Sequence, residues 1–132
     1  MSDHDLSDTV RRSFDIASMP HGNPIPSATR IGPLVVSSII AARDPGTTEV
    51  PESLADQLEN LFHHAGEILT AAGAGWEHVV RMNFFLPSLD DRVALNVPWL
   101  RHFPDPETRP TRHTQVGSAA YAQCDVWAYV PD

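Results

Sequence analysis

From Pro51 to Ala72 the apolar side chains fall at Leu54, Leu58, Leu61, Phe62, Ala65, Ile68, Leu69 and Ala72, the spacing of one buried stripe on a helix. Pro51 suits the first turn of that helix and Gly73 the residue past its end. Elsewhere the period drops to two. Ser13–Ala17 alternates, with Phe14 and Ile16 on one side, and predicts a short first strand. Leu34–Ile40 is a β-branched, near-continuous apolar run broken by Ser37 and Ser38, as in a buried strand. His78–Leu86 sets Val80, Met82, Phe84 and Leu86 on one face and Val79, Arg81, Asn83 and Phe85 on the other. The apolar face must meet helices, and the mixed face suits another subunit better than bulk water.

A second helix is predicted over Leu89–Phe103, with Leu95, Trp99, Leu100 and Phe103 as its stripe and a cap or kink near Asn96, ahead of Pro98. From Ala119 the chain alternates again. Tyr121, Gln123, Asp125, Trp127 and Tyr129 share one side, and the small residues Ala120, Ala122, Cys124, Val126 and Ala128 share the other, which fits beneath helices. Met19–Ser27, rich in proline, is a loop, and Asp44–Thr48 is a turn. The order is β, β, α, β, α, β with a hairpin among the early strands, an α+β architecture of two helices on one face of a mixed sheet.

Composition adds bounds. The chain has 132 residues, enough for a single core, so residues 13–132 are expected to form one domain after a flexible N-terminal segment, 1–12. Its net charge of −8 argues against nonspecific binding to nucleic acid or to anionic membrane. One cysteine, Cys124, excludes an intrachain disulfide and fits a reducing compartment. The first residues lack the features of a secretory leader, and no stretch is long enough to span a bilayer, so a cytoplasmic location is expected.

Candidate chemistry gathers in Arg109–Val130. Arg109 and Arg112 flank a proline at a strand start, and the arginine fork suits a carboxylate, so the segment reads as an anion seat. Two surface arginines neutralising an acidic chain would serve as well. His63 and His64 are adjacent on the first helix, about 100° apart, so they cannot chelate one metal and are expected at the solvent or the boundary. Cys124, on the small side of the last strand, reads as core.

Ile31-Gly32 ahead of an apolar run, Ala71–Ala74 (AAGA) closing a helix, the strand after it, Leu89–Phe103 (LDDRVALNVPWLRHF) and Arg109–Thr114 (RPTRHT) follow one another in the order found in the Rid (YjgF) family, which the chain resembles from about Phe14 to Val130. The most specific piece is Pro110-Thr111-Arg112. The resemblance implies a chorismate-mutase-like (YjgF-like) fold and a homotrimer with sites in clefts between subunits. It also implies deamination of enamine or imine carboxylates without metal or organic cofactor. Arg112 would hold the substrate carboxylate, and Thr114, where relatives carry a small residue, would bond substrate or water. Asn96, Ser38, Ile39, Trp127 and Ile25 would line the site. Ser38 and Asn96 are equally explained as a sheet hydrogen bond and a helix cap.

This sequence departs from the family in three places. Ile25 stands where an aromatic hydroxyl is usual, Ile39-Ile40 replaces glycine and glutamine, and Trp127 falls where a water-positioning glutamate is expected. Asp125, two residues earlier on the same side of the strand, is a candidate substitute acid and His113 a candidate proton carrier; an exposed or interface-paired acid, and a strand neighbour that points away from Arg112, explain the two more readily. Two functions follow: a hydrolytic deaminase of a small 2-aminoacrylate-type or unsaturated amino acid, or a non-hydrolytic binder of small carboxylates.

Overall fold

The computed structural model describes residues 10–131. Its strands are β1 (Arg12–Phe14), β2 (Ala28–Ile31), β3 (Leu34–Ser37), β4 (Ile40–Ala41), β5 (Val79–Leu86), β6 (Thr111–Val116) and β7 (Gln123–Tyr129). The helices are α1 (Leu54–Ala71) and α2 (Arg92–His102). One sheet runs β1-β2-β3-β7-β5-β6, and β4 pairs with β7 beside β3. Every pairing is antiparallel except β5 with β6. The α+β reading holds, with more strands than the periodicity marked. β2 is too polar to declare itself, and it joins β3 through a tight turn at Gly32, whose φ of 52° suits glycine. β6 alternates Thr, Arg, His, Thr and Gln, with little apolar signal.

The predicted strand Leu34–Ile40 breaks in two. Ser38 leaves the ladder, its N–H donating to the Ser27 carbonyl at 2.9 Å and its hydroxyl to the Pro26 carbonyl at 2.8 Å. The Ser37 hydroxyl accepts from the Val126 N–H at 2.9 Å, so the break leaves that buried donor satisfied. The first strand is shorter than expected and starts earlier, at Arg12, so the expected flexible segment 1–12 is cut into at its end; residues 1–9 lie outside the described residues.

α1 starts after Ser53, whose hydroxyl accepts from the Asp56 N–H at 3.0 Å, so Pro51 precedes the helix instead of opening it. Gly73, at φ +77°, closes it as expected. One of the two expected surface histidines is misplaced by the sequence reading: His64 is fully buried. Its Nδ1 lies 2.8 Å from the Ser18 hydroxyl and its Nε2 2.7 Å from the Arg43 carbonyl. These two partners make its burial tolerable, and desolvation lowers its pKa from the ordinary histidine value of 6.5. His63 is exposed, as expected.

The predicted second helix opens as a 3-10 turn, Leu89–Asp91, capped by Ser88, and becomes α-helical only at Arg92. Pro98 sits inside α2, where it removes the bond to the Ala94 carbonyl. Leu95, Trp99 and Phe103 are buried, whereas Leu100 is 48% exposed and leaves the predicted stripe. In β5 a bulge between Val79 and Arg81 reverses the expected alternation: Val79 turns inward and Val80 outward, and the predicted face resumes at Met82, Phe84 and Leu86.

The core is one cluster between the helices and one face of the sheet, built on Phe62, Leu61 and Ile68 of α1 and on Met82, Phe84, Cys124 and Val126 of the strands. Full burial of each large side chain contributes about 1.5–3 kcal/mol.

Candidate functional site

β6 is an edge strand, and its register fixes which way Arg112 points. Arg112 pairs with Met82 and Thr114 with Phe84, so both lie on the helix side of the sheet. The Arg112 guanidinium reaches over α2, its Cζ 5.1 Å from the centre of the Trp99 ring, and one terminal nitrogen donates to Asn96 Oδ1 at 2.9 Å. The ring presents its electron-rich face, and the amide fixes the rotation of the fork. Burial, and then the charge of Arg92, lowers the Arg112 pKa from the ordinary arginine value, and the group remains a cation at any ordinary pH.

The two arginines read together in the sequence do different work. Arg109 donates to the Phe103 carbonyl at 2.9 Å and to the Pro104 carbonyl at 3.3 Å, which braces the loop after α2. Among the described residues no carboxylate stands within ion-pairing distance of either arginine. Asn96, for which a place in the site and a helix cap were both open, is mid-helix and accepts from Arg112.

Asp125 and Trp127 lie on the other face of the sheet. Across β6, β5 and β7 one register row holds His113, Asn83 and Asp125, and the Asn83 amide donates to Asp125 Oδ1 at 2.7 Å. The next row holds Thr111, Arg81 and Trp127. Trp127 is 43% exposed and Tyr129 52%, beside Leu34 at 43%. Buried Cys124, on the helix side, has its thiol pKa pushed well up by desolvation first and by Asp125 second, which suits core and not a nucleophile.

Ile25, Ser38 and Ile39 form a third group. They line a cavity of about 440 Å³ with Met19, Pro26, Ala41, His21 and Arg43, near the interruption of the strand between β3 and β4. One chain therefore brings Arg112, Thr114 and Asn96 together, Asp125 with Trp127 and His113 together, and Ile25 with Ser38 and Ile39 together, as separate groups. Sequence reasoning missed Trp99 as the platform under Arg112, because its place in the apolar stripe read as core alone. It also missed Asn83, which nothing in the strand alternation distinguishes.

Comparison with known proteins shows the family. The profile of the family described as Endoribonuclease L-PSP matches residues 18–126. The chain belongs to that family, the Rid (YjgF) family. It is 33% identical over 93 residues to the mitochondrial protein mmf2 of Schizosaccharomyces pombe, covering 70% of this chain and 71% of that one. It is 35% identical over 92 residues to the chloroplastic Reactive Intermediate Deaminase A of Arabidopsis thaliana, covering 69% of this chain and 48% of that one. The crystal structure of the YjgF gene product of E. coli superposes with a TM-score of 0.78 at 21% identity, over 89% of this chain and 98% of that one, and shows the shared fold. Family membership and the deaminase relative support a general Rid-like role. No helix among the described residues is long and apolar enough to cross a membrane.

Proposed function

We propose that this protein is a hydrolytic deaminase of a small enamine or imine carboxylate, working as a homotrimer in the cytoplasm with its sites between neighbouring copies. The observation that carries the reading is the Arg112 guanidinium, half-buried, set over Trp99, oriented by Asn96 and left without a carboxylate partner among the described residues. A cation fixed in that way costs energy unless an anion completes it.

The chemistry follows from what a bound substrate would meet. The carboxylate lies on the Arg112 fork, which holds the neighbouring imine carbon in place. Water adds to that carbon, the C–N bond breaks, ammonia leaves with the protons it needs, and a 2-oxo acid remains. Thr114, two residues on and on the same side, offers a hydroxyl to the substrate or the water. Asp125 positions the water and His113, in the same register row, carries a proton. Arg112 and Asp125 of one chain are on opposite faces of the sheet, so they meet over one substrate only if the open face of one copy lies against the β6 edge of another. Ile25, Ser38, Ile39 and Trp127 then supply walls, bulkier than the family's usual ones. Neither metal nor organic cofactor is needed for these steps. RNA cleavage is disfavoured, since a net charge of −8 repels a phosphate backbone.

A second reading, a carboxylate-binding member that does not hydrolyse, is favoured by Trp127 in the place of the glutamate and by the Asn83 bond that already engages Asp125. Ammonia release from freshly generated 2-aminoacrylate separates the two. The deaminase reading expects acceleration by the parent and its loss in Arg112→Ala. No acceleration over buffer, with small carboxylates still binding, selects the second reading, and an Arg112→Ala protein that behaves like the parent contradicts both.

A further inference from the structure

The chain carries nine basic residues, all of them arginine, against 17 carboxylates, so acidic partners are in excess. Arg92 and Arg112 nevertheless stand near one another without one. Among the described residues neither has a carboxylate within ion-pairing distance. Arg92 opens α2 and precedes Asn96 by one helical turn, which places both on one face of the helix. Asn96 is the residue that accepts from Arg112. The 3-10 turn just ahead of Arg92 packs against β6, which brings the start of α2 to the strand that carries Arg112. Arg92 is itself tethered: its Nε donates to the Leu89 carbonyl at 2.8 Å. That bond uses one of the five donors of its fork. Burial lowers the Arg112 pKa, and the charge of Arg92 is the next cause, so the two cations feel each other.

Like charges held side by side are unfavourable unless something negative lies between them. A singly charged carboxylate is satisfied by one arginine fork. A pair of forks suits a ligand with two anionic ends, and for a protein of net charge −8 a dianion would be repelled without such a local seat. We propose that Arg92 is a second cationic contact of the Arg112 seat, and that the substrate is an enamine or imine dicarboxylate, with the carboxylate beside the reacting carbon on Arg112 and the other on Arg92. This inference rests on the reading of Arg112 given above.

Isothermal titration calorimetry with two stable 2-oxo acids, 2-oxobutanoate with one carboxylate and 2-oxoglutarate with two, tests it on the whole protein and on Arg92→Gln, Arg92→Lys and Arg112→Ala. The parent is expected to bind 2-oxoglutarate about tenfold more tightly than 2-oxobutanoate. Arg92→Gln brings that ratio to about one, and Arg92→Lys, which keeps the charge, retains a severalfold preference. A parent ratio near one, or a ratio that Arg92→Gln does not move, overturns the second cation. If Arg112→Ala still abolishes binding of both acids in that case, the Arg112 seat stands without it. Should the parent bind neither acid, or Arg112→Ala bind both as the parent does, the seat and the inference fall together. Inorganic phosphate binding more tightly than 2-oxoglutarate would also overturn the dicarboxylate assignment.

Discussion

The two faces of the sheet use the same strands for opposite ends. Toward the helices, Val35, Met82, Phe84, Leu86 and Val126 are fully buried, and no buried side-chain polar atom among the described residues lacks a hydrogen bond. Away from them, Trp127, Tyr129 and Leu34 are about half open, interleaved with the polar row His113, Asn83 and Asp125. A face that stopped at solvent would have little use for a large aromatic on alternate positions of a central strand. The helix face explains the fold, and the open face, with the edge at β6, holds the residues the fold leaves over.

The contrast can be broken experimentally. The largest effect is expected from Phe84→Ala on the helix face, which should cost about 3–5 kcal/mol in denaturant unfolding because its neighbours cannot collapse into the space. A loss below 1 kcal/mol would mean that the core is not packed as described. Next comes Tyr129→Asp on the open face, two residues beyond Trp127 on the same side of β7. If the proposed trimer is closed by this face, the substitution should leave far-UV circular dichroism unchanged while shifting the assembly toward monomer in light scattering, since a charge would be trapped against another copy. Unchanged mass would remove the open face as the subunit boundary. Trp127→Glu sharpens the same comparison: if that position is the family's glutamate position, ammonia release should rise severalfold by general acid–base assistance, and an unchanged rate counts against the register.

Smaller again is Ser53→Ala, expected to cost about 1 kcal/mol in thermal unfolding through the lost cap of α1. The mildest effect concerns pH. Burial depresses the His64 pKa below its unfolded value of 6.5, so the unfolded chain binds the proton first. The contribution of neutral His64 is therefore complete above pH 6.5 and is lost as pH falls through the folded-state value. Tm should decline over that window in the parent and decline less in His64→Gln. Parallel curves would place the effect on other groups, although Asp15, whose pKa is lowered chiefly by its bond to His21, acts only below about its ordinary value of 3.8.

Where burial is periodic the sequence was readable. α1 and the buried alternation of β7 follow their stripes, since Leu58, Leu61, Ile68, Cys124, Val126 and Ala128 have no other way to leave water. Irregularities were not legible. The bulge at Val79 and Arg81 and the strand break at Ser38 depend on partners elsewhere in the chain, Val126 and Ser27 among them. His64 looked like a surface residue because its acceptor and hydroxyl partners, Arg43 and Ser18, come from distant loops. Arg112 stood out as a costly residue at a strand start, yet its platform and brace, Trp99 and Asn96, became visible only once α2 lay across β6.

The most direct test is a crystal structure of the protein with 2-oxobutanoate bound. The carboxylate should lie within hydrogen-bonding distance of the Arg112 guanidinium of one copy, with the cavity lined by Ile25, Ser38 and Ile39 of a neighbouring copy closing over its other end. A carboxylate bound away from Arg112, or an Arg112 side chain turned from Trp99 into solvent with the ligand elsewhere, would contradict the account.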